Sequence, residues 1–466
     1  MFPPSSYELV SIISIIIFLT LIAVPKNIDS HAAYAVMEKE EMPVLYDSDL
    51  KLEVIFEKEI KHEGGTLSPV SSMAILGPND ILFLGKNDGT VHRIINGVLL
   101  QQPLLDVNVA NERERGMLGI TTSGSVSSDN NGQVKVFLYY TETQKNDGSD
   151  ICRKTYYCKS DYETLGNNLY SYDLKDNNLV NPKLLLHLPS WPAPSHNGGS
   201  IEIGPDNNLY ITIGDLVGSE NSSSSTKAQN FKNGTDPDGR AGILRLTQQG
   251  KPYSKGILGD EFPLNLYYAY GIRNSFGIDF DPITHKLWDT ENGPDYGDEI
   301  NLVNPGFNSG WQKLQGVWKP TYNVVRGGDL IAGEKLLDPD ENYFANFNGK
   351  GKYSPPEFTW NQTVGPTAIK FLKSEKYPEK YKNDLFIGDT NNGYLYHLDL
   401  NKKRTSLKLN GTLEDRIANN NDELKQIVIG SGFGKITDIE LGPDGYLYIL
   451  SNNNNNVSIF KIVPAS

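Results

Sequence analysis

One residue with the chemistry of a catalyst is a histidine that stands shortly before a predicted strand. His196 lies within the sequence Ser-His-Asn-Gly-Gly of residues 195–199, and an alternating apolar pattern follows over residues 201–213. A neutral imidazole accepts protons near physiological pH, which makes His196 a candidate general base. The glycines before the strand indicate a loop at one end of a β-sheet. The alternative for a lone histidine is a structural role.

Two further clusters combine charged side chains with glycine. Glu114 stands between two arginines, and Arg273 stands beside Asn274. A planar guanidinium next to an amide can polarise a carbonyl or quinone oxygen. Because loops carried by a rigid sheet scaffold can converge, these clusters could share one site with His196. The alternatives are a surface ion network around Glu114 and, for Arg273, a link between loops through Glu291.

Hard oxygen donors follow closely after this arginine. Gly293 and Pro294 offer backbone carbonyls, and carboxylates stand at Asp295, Asp298 and Glu299. Calcium selects carbonyl and carboxylate oxygens, but the spacing is not that of an EF-hand loop. The pattern therefore predicts a calcium site of another kind, with a solvated acidic turn as the alternative.

A recurring strand–turn–strand unit must position these clusters. Its copies centre on Pro78, Pro205, Pro282 and Pro443, which are separated by 127, 77 and 161 residues. These separations are close to multiples of about 40 residues, the length of a propeller blade. Short strands with glycine-rich turns, and no extended helical periodicity, favour an all-β closed array that protects its sheet edges. We predict one β-propeller with decorated loops over residues 50–466, and the spacing leaves the number of blades open.

The N-terminus indicates the compartment. Residues 9–24 form an uncharged run of 16 residues, shorter than the about 20 apolar residues that usually cross a bilayer. Small-x-small sequences at residues 30–32 and 33–35 are typical of signal peptidase sites. We predict a signal peptide or an uncleaved membrane anchor over residues 1–35 and a linker over residues 36–49. The protein would then be extracytoplasmic, either secreted or anchored on the outer face of a membrane through residues 9–24.

Cysteine content and net charge indicate a disulfide and exclude one class of partner. The two cysteines, Cys152 and Cys158, are close in sequence, and in an exported chain they predict a local disulfide. The formal net charge is −14, with 57 acidic and 43 basic residues. Binding to a polyanion needs clustered Lys and Arg, which the chain lacks, so nucleic acid is excluded as an expected partner.

Several short motifs occur in the order in which the glucose/sorbosone dehydrogenase family has them. They are Glu114–Gly119, His196–Gly199, Gly242–Arg245, Gly271–Asn274, Glu291–Pro294 with Asp298–Leu302, and Asn308–Trp311. The chain therefore resembles the soluble aldose dehydrogenases that depend on pyrroloquinoline quinone (PQQ), over nearly its whole exported length. The family fold is a six-bladed β-propeller, so the resemblance implies six blades and an exported enzyme that oxidises sugar hydroxyls.

The resemblance also implies roles for the first two groups of residues. His196 would be the general base that removes the hydroxyl proton of a sugar while hydride passes to the quinone. Arg273 would stabilise negative charge on the quinone oxygen, with Asn274 beside it in the cofactor pocket. Glu114 falls at a position that lines this pocket. The partners implied are a small sugar substrate and an external electron acceptor.

For the oxygen donors, the resemblance implies calcium ions. Gly293 and Pro294 would give carbonyls to a calcium ion that also binds the cofactor. Glu299 looks like a ligand of a neighbouring structural calcium ion.

Departures from the family pattern concern the groups that hold the cofactor's carboxylates. Similar enzymes use a lysine and two arginines, where this chain has Asn391, Lys435 and Thr437. A charge-assisted hydrogen bond contributes about 1.5–3 kcal/mol, so losing two of three cations would weaken binding by roughly two to four powers of ten. A second hypothesis is therefore a calcium-containing propeller without the cofactor that binds carbohydrate or a surface partner. A third is hydrolysis of a lactone or ester at a calcium ion in the channel.

Overall fold

The structure is a computed structural model that describes residues 42–59, 67–124, 134–143, 164–216, 225–323, 329–453 and 456–465. The predicted signal or anchor segment and the predicted disulfide between Cys152 and Cys158 lie outside the described residues. Among the described residues, no helix has the length and apolar character needed to cross a bilayer. The chain from Met42 onward forms one compact unit.

Short β-strands make up nearly all of the regular structure, and within the described residues they form six sheets of four or more strands. Sheet I contains Val70–Gly77, Asp80–Gly85, Thr90–Ile95, Val98–Leu99 and Leu105–Asp106. Sheet II contains Met117–Ser123, Val134–Thr143, Thr164–Lys175 and Asn178–Leu188. Sheet III contains Ile201–Ile203, Asn208–Ile213, Gly242–Thr247, Tyr267–Tyr270, Phe307–Asn308 and Lys352–Tyr353. Sheet IV contains Ser275–Phe280, Leu287–Glu291, Asp298–Val303, Phe358–Trp360 and Ile417–Ala418. Sheet V contains Pro366–Phe371, Leu385–Asp389, Leu395–Leu398, Val428–Ser431 and Val44–Leu45. Sheet VI contains Lys435–Leu441, Leu447–Asn453, Asn456–Pro464 and Leu50–Glu59.

The remaining elements are short. A two-stranded sheet pairs Trp318–Asn323 with Asp329–Lys335, and the described part of the chain has one α-helix, Asn421–Leu424. The 3₁₀ helices are Lys227–Gln229, Leu264–Leu266, Glu341–Tyr343, Glu379–Tyr381 and Gly411–Asp415. The prediction of an all-β fold is confirmed. Within the segment predicted as a linker, Val44–Leu45 pairs with Val428–Ser431 of sheet V.

The sheets are arranged in a ring like that of a β-propeller. The first strand of each sheet lies beside the first strand of the next, and that of sheet VI lies beside that of sheet I. Leu50–Glu59, from the start of the described chain, pairs with Asn456–Pro464 at its end. Joining both ends of a chain in one sheet closes such a ring without leaving open edges.

The predicted hairpins form because turn chemistry and apolar alternation agree. In sheet III the Asp206 carboxylate accepts a hydrogen bond from the Tyr210 hydroxyl at 3.1 Å. In sheet VI Asp444 accepts the same bond from Tyr448 at 2.9 Å. Between these polar turns, apolar side chains of neighbouring sheets pack together, as Leu209 of sheet III does with the cluster that includes Phe137 of sheet II. Burial of this kind contributes about 25 cal/mol per Å² of apolar surface.

Candidate functional site

A pocket of about 460 Å³ lies at one end of the ring axis. Its lining includes Ser72, Leu118, Phe276, Thr367 and Thr437, which belong to the first strands of sheets I, II, IV, V and VI. Sheet III contributes through the residues that precede its first strand. Cofactor and small-molecule sites usually measure about 300–1,000 Å³. A larger cavity of about 710 Å³ lies between surface loops and contains none of the predicted site residues.

His196 is held by a buried aspartate next to this pocket. Its Nδ1 lies 2.6 Å from Oδ1 of Asp215, and Oδ2 of Asp215 accepts a hydrogen bond from the Trp311 indole at 2.7 Å. Burial raises the pKa of Asp215, but His196, Arg273 and the indole together outweigh it and leave the pKa below its usual value. An ionised Asp215 accepts the proton of Nδ1, which leaves Nε2 of His196 as a proton acceptor. The His196 side chain is 10% exposed.

Glu114 joins two of the predicted clusters. Its Oε2 accepts the backbone N–H of His196 at 2.7 Å and the side-chain amide of Asn274 at 2.9 Å. The Asn274 carbonyl in turn accepts the N–H of Gly198 at 3.2 Å. His196 has a positive φ of 61°, so these bonds hold the histidine in a backbone conformation that few non-glycine residues adopt. Glu114 also lines the pocket.

Arg273 lies against the same tryptophan. Its guanidinium is 5.5 Å from the Trp311 ring centroid, and its Nη1 donates to the carbonyl of Asn292 at 2.7 Å. The backbone carbonyl of Arg273 accepts the N–H of Asp215 at 3.0 Å. Among the described residues, Nε of Arg273 and Oδ1 of Asn292 are buried and have no hydrogen-bond partner. Asn292 lines the pocket, whereas Arg273 and His196 do not. Each of the two is hydrogen-bonded to a lining residue, Arg273 to Asn292 and His196 to Glu114.

The predicted link between Arg273 and Glu291 exists, but it uses the backbone. The N–H of Arg273 donates to Oε1 of Glu291 at 2.6 Å. This contact therefore does not use the guanidinium group of Arg273.

The loop of Gly293 and Pro294 is shaped by Asp298. Oδ1 of Asp298 accepts the N–H of Gly293 at 2.8 Å, while Oδ2 accepts the N–H groups of Val364 at 2.7 Å and Gly365 at 2.9 Å. A Cβ on Gly293 would lie 1.9 Å from the carbonyl oxygen of Tyr296, so this turn accepts only glycine. Burial raises the pKa of Asp298 to about 6.

Glu299 belongs to a buried group of carboxylates. Its Oε2 accepts a hydrogen bond from Asn301 at 3.0 Å. The Ser309 hydroxyl oxygen lies 2.9 Å from this Oε2 and 2.6 Å from Oε2 of Glu291, so the serine joins the two carboxyl groups. Asp289 lies near Asn301, yet among the described residues neither of its buried carboxylate oxygens has a donor in hydrogen-bond geometry. Burial raises the pKa of Glu299 to about 8 and that of Asp289 to about 7.

These carboxylates are chemically suited to a cation. Burial, and the negative charges of Glu299 and Asp289, raise the pKa of Glu291 well above its usual value. Buried carboxylates without a cation are costly, and unpaired carboxylate and amide oxygens are the donors that calcium prefers. The residues present therefore fit calcium. The sequence motif pointed to Glu299, but Asp289 and Glu291 were missed as its neighbours; their alternation along the strand Leu287–Glu291 was the available signal.

The three positions predicted to hold cofactor carboxylates are not all in the pocket. Lys435 and Thr437 line it. The Asn391 side chain instead donates to the carbonyl of Thr363 at 3.3 Å, and Asn391 is not a lining residue. Two further cationic residues line the pocket: Arg113, from the cluster around Glu114, and Lys86, which the sequence did not indicate. The pocket therefore carries more positive charge than the motif comparison suggested, and it fits an anionic cofactor.

The fold and the site together define a propeller-like protein with a polar axial pocket served by a histidine–aspartate pair and an arginine. Residues 67–461 match the sequence profile of the Glucose / Sorbosone dehydrogenase family. The chain belongs to this family.

Two curated proteins are similar in sequence to part of this chain. Aldose sugar dehydrogenase YliI of Escherichia coli K12 is 26% identical over 283 residues, which cover 59% of this chain and 62% of that protein. Quinoprotein glucose dehydrogenase B of Acinetobacter calcoaceticus is 34% identical over 222 residues, 45% of each chain. The chain thus matches less than two thirds of the length of these curated relatives.

Solved structures share the fold at lower identity. The soluble aldose sugar dehydrogenase of E. coli in its apo form has a TM-score of 0.62 at 21% identity, over 89% of this chain and 99% of that one. The PQQ-bound aldose sugar dehydrogenase of Streptomyces coelicolor has a TM-score of 0.56 at 19% identity, with the same coverage. These likenesses support the propeller-like architecture.

Proposed function

We propose that the protein is a PQQ-dependent dehydrogenase that oxidises a sugar hydroxyl and passes the electrons to an external acceptor. The observation that carries this proposal is the His196–Asp215–Trp311 chain of hydrogen bonds beside an axial pocket with three cationic lining residues. Membership of the family and the names of the relatives support it. When bound, PQQ would supply the two-electron acceptor.

The residues of the chain would divide the work in the following way. Nε2 of His196 takes the hydroxyl proton of the sugar, and the ionised Asp215 stabilises the imidazolium that forms. Arg273, whose guanidinium keeps a free Nε–H among the described residues, stabilises negative charge near Asn292. Glu114 fixes the loop that carries His196 through its two hydrogen bonds.

Calcium would be held by the oxygen donors described above. We propose Gly293 and Pro294 as carbonyl ligands beside the pocket, and Glu299 with Asp289 and Glu291 as a separate structural site. The unpaired oxygens of Asp289 support the second assignment.

The six sheets would be the six blades of one propeller, a count supported by the closed order of their first strands. The N-terminal segment would direct the protein out of the cytoplasm or anchor it on the outer face of a membrane. Outside the cytoplasm, Cys152 and Cys158 would form a disulfide. Peptide mapping of the mature secreted protein without reduction checks both the cleavage and the disulfide.

The test of the activity uses purified full-length protein supplied with calcium and PQQ. Dye reduction is followed with a panel of aldoses, and quinone retention is measured by absorbance after gel filtration. Turnover with retained quinone supports the proposal, whereas no turnover and no retention contradict it.

A propeller that binds carbohydrate or a surface partner without a cofactor is the second candidate. It is favoured by the neutral Thr437 in the pocket and by the position of Asn391 outside it. Tight binding of PQQ in a calorimeter would exclude it.

A further inference from the structure

The cationic residues of the axial pocket lie together on one side of it. Lys435 begins the first strand of sheet VI and pairs in register with Asn452. Asn452 bonds to the backbone of Val70 in sheet I through both atoms of its amide, each at 2.9 Å. Val70 pairs in turn with Gly85, the residue before Lys86. Lys435 and Lys86 therefore stand on adjacent sheets joined by this bridge.

Lys86 is tied to the loop that carries Arg113. Its Nζ donates to the carbonyls of Arg113 and Arg115, each at 2.8 Å, and to Oδ1 of Asn87 at 3.4 Å. Its backbone N–H donates to the carbonyl of Pro69 at 2.8 Å. The lysine thus holds the loop and places a fixed positive charge beneath it.

Arg113 is available to a ligand. It is exposed and lines the pocket, and its guanidinium has no hydrogen-bond or ion-pair partner among the described residues. The positive φ of 52° at Arg113 directs the chain in a tight turn here, which the two bonds from Lys86 stabilise. An exposed guanidinium on a fixed loop can bind a carboxylate in two-point geometry.

The carboxylates that line the pocket already accept hydrogen bonds from other residues of the protein. Glu114 accepts the bonds from His196 and Asn274 described above, and Oδ2 of Asp438 accepts hydrogen bonds from Ser72 at 2.8 Å and the N–H of Met73 at 2.7 Å. The three cations and these two carboxylates are the charged lining residues. On the opposite side of the ring, sheet IV contributes Asn292, which bonds to Arg273.

We propose that Arg113 and Lys435 bind the carboxylates of an anionic quinone, and that Lys86 adds its positive charge from beneath the loop, so that the three cations supply the charge that Asn391 and Thr437 do not. This inference rests on the proposed function and extends it. The cofactor would lie across the axis, with its carboxylates toward sheets VI, I and II and its reactive edge toward His196 and Arg273. The cation set of the family pattern would thus be replaced by residues from the other end of the chain.

The titration of Lys86 provides a signature of binding. Burial lowers the pKa of Lys86 to about 8, and Glu114 opposes this effect. The other charged residues that line the pocket with it are Arg113, Lys435 and Asp438. An anionic ligand beside the lysine favours its charged form and raises its pKa. Near pH 8, binding should therefore take up about half a proton.

The test measures binding rather than turnover. PQQ and its uncharged trimethyl ester are titrated calorimetrically into the full chain with calcium, for the wild type and for Arg113→Gln, Lys86→Met and the control Lys403→Gln. Lys403 is exposed and lies outside the pocket. Because Arg113→Gln leaves the hydrogen bonds of the loop backbone in place, it tests charge without removing the loop's support.

We expect Arg113→Gln and Lys86→Met each to weaken PQQ binding by about tenfold or more, while the ester and the control variant bind as in the wild type. Titration in two buffers of different ionisation enthalpy should show proton uptake at pH 8 that Lys86→Met abolishes. Wild-type affinity for PQQ in both variants would overturn this inference while the proposed function stands. Charge-dependent PQQ binding without oxidation of any aldose would sustain the inference and contradict the dehydrogenase. A wild type that does not bind PQQ would overturn both.

Discussion

The two ends of the ring axis both carry buried charge, but they use it differently. At the end opposite the pocket, Nζ of Lys370 lies 3.0 Å from Glu440, 3.6 Å from Glu202 and 3.7 Å from Asp279. These residues belong to the first strands of sheets V, VI, III and IV. Burial lowers the pKa of Lys370, but the three carboxylates outweigh it and raise the pKa well above its usual value.

At the pocket end, charged groups are oriented but not neutralised. Among the residues that the structure describes, Nε of Arg273 and Oδ1 of Asn292 have no hydrogen-bond partner, and Arg113 is exposed. The Lys370 cluster lines a cavity of about 390 Å³, but it is a closed network because its cation is paired with three carboxylates. At the pocket end, the polar atoms named above lack such partners among the described residues. The contrast teaches that buried charge alone does not identify a functional site in this fold; charge with unpaired atoms beside a cavity does.

The largest effect should come from the aspartate behind His196. Asp215→Asn should lower kcat of the PQQ-loaded enzyme by about 10³–10⁴-fold, because an amide no longer fixes the imidazole tautomer or stabilises its charged form. Steady-state dye reduction measures this. Asp236→Asn, at an aspartate that is 87% exposed, is the control, and a loss of less than tenfold in Asp215→Asn would remove His196 from the role of base.

The closed network should matter for stability instead. Lys370→Met should destabilise the fold by about 3–5 kcal/mol, because it leaves buried carboxylates without a counter-charge. Denaturant unfolding measures the change. Lys380→Met is the matched control, since Lys380 is 48% exposed and pairs with Asp47 and Asp49 at the surface, where a pair contributes about 1 kcal/mol or less. Equal effects in the two variants would contradict the contrast.

Removing calcium should have an intermediate effect. A chelator should lower the melting temperature of the wild type by several degrees, since a ligand at 100 times its Kd stabilises by about 2.7 kcal/mol. Asp289→Asn should reduce this response, because it removes a donor from the buried carboxylates. Differential scanning calorimetry with calcium or magnesium restored is the measurement, and a wild type insensitive to chelation would argue against the structural site.

The most gradual effect concerns pH and the Lys370 network. Burial raises the pKa of Glu202 from 4.5 to about 7, so the folded protein binds more protons than the unfolded chain between these values. The free energy of unfolding should therefore fall as pH rises from about 4.5 to 7, by at most about 1.4 kcal/mol per pH unit for this group. Unfolding of Glu202→Gln over this range should show a shallower slope, and an unchanged slope would assign the pH dependence to other groups.

Local patterns predicted much of the site because each motif joins a strand end to a loop. The hypothesis that the clusters of Glu114, His196 and Asn274 could share one site followed from such motifs, and the hydrogen bonds that join them are a finding of the structure. Asp215, which stands two residues after the strand Asn208–Ile213, was not assigned a role from the sequence. The reason is that the turn between the strands brings its partner His196 to it, and this contact is visible only in the folded chain. Asn391 was predicted in the pocket, and the structure places it outside.

What the sequence by itself determined is the kind of element and the kind of chemistry. Apolar alternation, proline turns and glycine-rich loops encode hairpins because these preferences act within a few residues of the chain. Which charges share a pocket was decided by the closure of the ring, since Lys86, Arg113 and Lys435 come from sheets at opposite ends of the sequence. Contacts between such distant segments depend on the packing of whole sheets, and no local pattern specifies them.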